Sequence, residues 1–409
     1  MLLFRKNQMN TRKLLTALFA ISLFATHTAT AQDATTLPEA WEIVERCITT
    51  PTEPPDDWTF DGTIITYRYR DGVHGFRSDT PSRYYIAFDN GTEYGQAGSF
   101  SPNGQWFAVY TGHQTSYGLS ASYYSVDNLR VVSTSPARET YLIPWQARTF
   151  SSGGMIHSPP IRWDSDSTIV TNGYLPTDQT LTTGDFSINP FTAEFVPYVR
   201  DTTSSNEYTA LSPDGTRAIT IELGDNGYGT MVEQRQYLYD IDEEIAISDL
   251  WATNGDNEIG LRLWLPYTDF GIQPPFWTPN SQLLISKSTF NDQSAVVSFT
   301  RDGALESVIF SGHILQPELA ETGTSLALVG STSADDELSL YIADLETRTV
   351  YNTCINPSHY RVAISPTGDQ VAVSIGGNDG FVYVVDLNEW AAYRLDLAAN
   401  DVIAWFADP

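Results

Sequence analysis

The chain has 409 residues, with 22 Lys and Arg against 50 Asp and Glu, a formal net charge of −28. Phosphate backbones and anionic lipid need concentrated Lys and Arg, so neither nucleic acid nor an anionic membrane surface is an expected partner. This length predicts two or three domains unless the chain is repetitive.

Residues 1–31 read as a secretory signal peptide. Arg12 and Lys13 precede the apolar run Leu14 to Ala25, and Ala29-Thr30-Ala31 supplies small residues for cleavage before Gln32. Met9 offers an alternative start. The first 31 residues hold four basic residues (Arg5, Lys6, Arg12 and Lys13) and no acidic ones. The mature chain therefore carries 18 basic against 50 acidic residues, a net charge of −32. No later stretch is long and apolar enough to cross a bilayer. The expected product is exported and soluble, periplasmic or extracellular, without membrane insertion, and monomeric.

Residues 32–57 form an N-terminal arm. In LPEAWEIVERCITT, Pro38 suits a first helical position and Trp41, Val44 and Ile48 share one helical face, so the spacing predicts a short helix docked on the main domain.

Residues 58–409 are repetitive. A hydrophobe followed by a tight turn recurs at Trp58, Phe100, Trp163, Leu211, Trp277, Leu319, Ile364 and Trp405, at intervals of 42, 63, 48, 66, 42, 45 and 41 residues. LSPDGTRAITI, from Leu211, shows the unit: Pro presets φ, Asp bonds its following backbone, and Gly accepts positive φ. A period-2 strand, a Gly/Asp/Ser-rich loop, a second strand, a short hairpin and a third strand follow each turn. With the strand before the turn, each unit has four. This is the pattern of an all-β, seven-bladed β-propeller with antiparallel blades, six or eight blades being the alternatives. NDVIAWFAD reads as an inner strand without partners after it, and Pro51, Pro54 and Pro55 leave a poor strand before Trp58. The C-terminal strand is therefore expected to complete the first blade and close the ring, hiding sheet edges.

The SPDG-type turn resembles the TolB-like propeller repeat. The units from Ser311 and Ser358 also resemble tryptophan-aspartate (WD) repeats, with His before the inner strand and Asp closing the third. The resemblance implies the architecture and leaves function open, because propellers host binding modules, lyases and hydrolases alike.

The chain has two cysteines, Cys47 in the arm and Cys354 in the outer strand of the sixth unit. A closed ring brings the arm near that unit, so a disulfide is expected, the alternative being two buried thiols.

In a propeller the loops after second and fourth strands share one face, opposite the SPDG-type turns. That register places His74 and His113 beside loops after second strands, and His157, His313 and His359 at the starts of inner strands. The last three are candidate ligands for a divalent metal. The WD resemblance implies instead a hydrogen-bond network, pairing His313 with Asp336 and His359 with Asp379. Asp225, Asp292, Asp335, Asp336 and Asp379 fall in loops of the same face and suit calcium by ligand type, although none follows a twelve-residue calcium loop. Tyr117, Tyr123 and Tyr124, with Trp264, Tyr267 and Phe270, are aromatics in two insertions, suited either to an interface or to burial at the rim. There is no G-x-S-x-G, and SSGGMIHS lacks the lysine of a phosphate loop. The expectation is a non-catalytic propeller that binds a protein or a polymeric ligand such as a polysaccharide through the His/Asp face. A metal-dependent carbohydrate lyase or hydrolase, with His157, His313 and His359 as ligands, is the first alternative. A cell-envelope scaffold is the second.

Overall fold

A computed structural model describes residues 37–408 except for connecting segments, the longest being 89–97, 175–182, 198–205 and 264–274. The strands fall into seven antiparallel blades in sequence order. Each blade places an inner strand at the axis and at least three further strands outward. The seventh shows the plan: Val362–Ile364 pairs Gln370–Ile375, which pairs Phe381–Asp386, which pairs Ala391–Ala398. Blade 1 is built from both ends of the chain. Its inner strand is Asp401–Phe406, laid antiparallel on Thr63–Arg68 with Thr63 opposite Phe406, and Gly72–Phe76 and Tyr84–Phe88 complete it. The ring is closed as the repeat count implies.

The core consists of slabs between neighbouring blades. Ile65, Phe107 and Ile403 pack blade 1 on blade 2, and Ala372, Val384 and Val402 pack blade 7 on blade 1. Alternation along each strand sends successive side chains into the slabs on either side, so both faces of most strands are apolar. The anchor tryptophans add a polar lock. Trp163 Nε1 donates to the carbonyl of Ser99 in blade 2 at 3.0 Å, and Trp277 Nε1 to that of Ala210, just before the blade 4 anchor, at 2.7 Å. In both cases the acceptor immediately precedes the anchor of the previous blade.

The SPDG-type turns keep one hydrogen-bond pattern. In blade 4 Ser212 Oγ donates to Asp214 Oδ1 at 2.7 Å, the same oxygen accepts from Thr216 N, and Ser212 Oγ accepts from Arg217 N. Gly215 takes φ +70°. Asp214 Oδ2 also meets Arg301 Nη1 of blade 5 at 2.7 Å, which links adjacent turns. Hydrogen bonds from Ser212, Thr216 and Arg301 hold the Asp214 carboxyl well below the usual carboxylate range.

Three features differ from expectation. The arm is a strand rather than a helix: Glu42–Glu45 lies parallel to Thr349–Asn352 as a fifth strand on blade 6. A helix this short gains little on its own, whereas the free edge of blade 6 supplies a complete row of backbone partners for β-branched Ile43 and Val44. The arm then runs past three blades. Trp41 N donates to Val308 O of blade 5 at 3.1 Å, and Trp390 Nε1 of blade 7 donates to Arg46 O at 2.6 Å. Between them, Cys47 is bonded to Cys354, with Cα atoms 4.8 Å apart.

Second, much of each long interval is strand rather than loop. Blade 2 is built on Trp106–Ser116, Ser122–Ser133 and Thr140–Ser152, of 11, 12 and 13 residues, against 6 for the corresponding Gln370–Ile375. Blade 4 has Arg217–Asp225, Met231–Asp240 and Ile245–Asn254, of 9, 10 and 10 residues. Third, the inner strand of blade 5 is interrupted. Arg262–Leu263 and Phe276–Trp277 both pair with Leu283–Phe290, Leu263 opposite Ser288 and Phe276 opposite Ile285. The second aromatic insertion therefore departs from, and returns to, the innermost strand.

Candidate functional site

Alternation of antiparallel strands places the loops after second and fourth strands on one face of the disc and the SPDG-type turns on the other. On the first face, blade 1 carries a polar cluster built on the turn before Gly72–Phe76. Asp71 is its hub. Tyr85 Oη donates to Asp71 Oδ1 at 2.9 Å, and Oδ2 meets Arg83 Nη2 at 3.4 Å, His74 Nε2 at 3.6 Å and Arg68 Nη1 at 3.8 Å. His74 lies opposite Tyr85 in the ladder, and their rings are 4.4 Å apart. The imidazole is 1% exposed and its Nε2 has no partner within hydrogen-bond distance. Burial, aided by Arg83 and Arg68 and opposed by Asp71, pushes His74 down to about 4, so it is neutral at physiological pH. The hydrogen bond to Asp71 raises the Tyr85 phenol above its ordinary value.

The long strands of blades 2 and 4 shape the same face. His113 stands in the blade 2 ladder opposite Ser125, and Asp225 ends its strand opposite Met231. His157 is not at the start of the blade 3 inner strand, which begins at Arg162. It lies in Met155–His157, paired with the far end of Thr140–Ser152. The chain doubles back there because Phe150, Ser151 and Ser152 offer an open edge. His313 does open the inner strand of blade 6, where its side chain is exposed. Asp336 is not its partner: the carboxylate accepts from Thr332 Oγ1 at 3.0 Å within its own turn. His359, Asp379, Tyr117 and Trp264 lie outside the described residues. The structure thus separates His157 from the inner-strand position that would have aligned it with His313. Among the described residues, Glu45, Cys47 and Cys354 bring three ligating atoms together, but the disulfide removes the thiolates a metal would need.

The periodic pattern gives no sign of a further buried acid. Glu318, on the inner strand of blade 6, is 8% exposed and its Oε2 has no partner. Burial pushes its carboxyl up to about 8, with Arg361 opposing. A cleft of about 180 Å³ lies on the SPDG-turn face, between blades 1 and 2, and the repeat pattern does not mark it. Its signal was composition: SPNGQW and STSPARE place Gln, Ser and Glu side chains at neighbouring turns.

No protein-family model matches this chain, and no curated protein does. Among solved structures, TolB from Acinetobacter baumannii aligns with TM-score 0.35 and 13% identity, over 73% of this chain and 82% of its own. An oligogalacturonate lyase in complex with manganese gives 0.39 and 11%, over 72% and 85%, and a eukaryotic initiation factor 0.47 and 11%, over 85% and 98%. Likeness of this size transfers no activity. The architecture rests on the seven sheets themselves.

Proposed function

We propose that this chain is an exported, non-catalytic propeller that binds a protein or polymeric ligand through the face opposite the SPDG-type turns. The observation that carries the reading is the uneven height of that face. In blade 2 the second strand is five residues longer than its counterpart in blade 7. At the usual rise per residue, this lifts the rim by about 15 Å. Blade 4 repeats the device on the other side of blade 3. Two raised walls of paired backbone suit a large partner better than a small molecule, because contact area is what such interfaces need. The signal-like N-terminus and the strongly acidic balance support export and a basic or neutral partner.

The test shortens one wall. Replacing residues 113–125 by an Asn-Gly turn joins Gly112 to Val126, which already face each other in the ladder. Cross-linking and mass spectrometry of the exported protein in its native compartment should attach macromolecular partners to the intact chain near this face. The shortened chain should lose at least about tenfold of that signal, while Arg301→Ala, at the opposite turns, should keep it. Equal cross-linking by the shortened chain, together with an unchanged melting temperature, would refute the reading.

A further inference from the structure

We propose that the cleft between blades 1 and 2, on the SPDG-turn face, binds one uncharged sugar ring. The site is distinct from the raised face opposite and does not depend on it. Its walls are two turns locked to each other. Thr134 N donates to Gln105 O at 2.9 Å, Thr134 Oγ1 to Gly104 O at 2.7 Å, and Tyr84 Oη of blade 1 to Thr134 O at 2.6 Å. Backbone and hydroxyl groups that would otherwise compete for a ligand are thereby satisfied, and the cleft is held open before anything enters it.

The floor is apolar because a glycine stands where the ring closes. Gly104 takes φ +68°, and a Cβ there would lie 2.1 Å from the Phe406 ring, so only glycine lets the C-terminal strand lay this half-buried ring against the turn. Above the floor, the side chains of Gln105 and Glu139 make no hydrogen bond or ion pair with any described residue, and the Ser135 hydroxyl accepts from Ala137 N while keeping its proton to donate. The rim thus offers an amide with both donor and acceptor, a carboxylate acceptor and a hydroxyl donor beside an aromatic surface. That combination matches the alternating hydroxyls and apolar face of a pyranose.

Charge and size narrow the class. Arg77, the cation of the cleft, is held by Asp79 at 2.9 Å and by Asp408 at 2.9 Å, so its charge is compensated. With a free Glu139 on the rim and a net charge of −28 on the whole chain, a uronate or phosphorylated sugar is repelled. A volume of about 180 Å³ is below that of drug-sized sites and holds one ring, the rest of a glycan remaining in solvent.

The experiment uses the full exported chain, with neutral methyl hexosides and neutral oligosaccharides as probes, read by saturation-transfer NMR and calorimetry. At least one hexoside should bind with a dissociation constant on the order of 1 mM. Gln105→Ala and Glu139→Ala should each weaken it at least about fivefold without moving the melting temperature, since neither side chain makes a hydrogen bond or ion pair with a described residue. Asp336→Asn, on the other face, should leave it unchanged. Tighter binding of an oligosaccharide than of its end unit assigns the site to a glycan, and equal binding assigns it to the free sugar. Absence of saturation transfer from every neutral hexoside, binding that both cleft variants leave intact, or preference for a uronate overturns the proposal.

Discussion

Around His74, desolvation and two guanidiniums act against protonation, and Asp71 alone favours it. The folded value of about 4 lies below the ordinary 6.5, so the unfolded chain takes up a proton first as the pH falls. The contribution of His74 to stability is therefore full above pH 6.5, declines between 6.5 and about 4, and is level below that. The loss amounts to about 3 kcal/mol at most. Because Glu318 acts in the opposite sense over much of this range, the decline is read as the difference in urea midpoint between the wild type and His74→Gln, which should change as the pH falls from 7 to 4. A difference that stays constant over that range would contradict this account. Glu318 has the opposite sign: its raised value of about 8 makes the folded state the better proton binder, so its contribution is lost as the pH rises through 8. Strand alternation makes the burial of either residue unremarkable in the sequence. Burial causes both shifts first of all; Arg83 adds to that of His74 and Arg361 opposes that of Glu318, and the local pattern specifies neither neighbour.

Among the elements, the arm is the one most governed by its surroundings. Its apolar spacing fits a helical face, yet the same residues serve as a strand once an unpaired edge is near. Trp41 packs with the slab between blades 5 and 6, and Ile48 with that between blades 6 and 7. The arm thereby staples three blades. The disulfide closes a loop with a sequence separation of 307. In the chain-entropy model, a loop of that length constrains the unfolded state by about 6 kcal/mol. Replacing both cysteines by serine should lower the urea midpoint, and limited proteolysis should then cut within residues 37–48 before the propeller. Protease resistance equal to that of the parent would show that strand pairing and Trp390 hold the arm unaided.

For the molecule as a whole, closure joins residue 63 to residue 406. Deleting residues 401–409 removes the inner strand of blade 1, leaves the edge of Thr63–Arg68 unpaired, and bares the apolar slabs on both sides of it. Light scattering and near-UV circular dichroism should report aggregation and loss of fixed packing, because an open ring has two templating edges. Retention of a cooperative unfolding transition by the deleted chain would contradict this account of closure.

Blade number, four-strand units and ring closure were legible from LSPDGTRAITI and its relatives, since turn chemistry and two-residue alternation act between neighbours along the chain. Pairing between distant segments was not. The strand form of the arm, the return of His157 to the outer edge of blade 2, the lock from Trp163 to Ser99 and the cleft beneath Gln105 all depend on which surfaces the closed ring sets side by side. One of the SPDG-type turns acquires a second aspect in this way. Ser101, Asn103 and Gly104 make the corner locally, and only Phe406, arriving from the far end of the chain, turns it into the floor of a site.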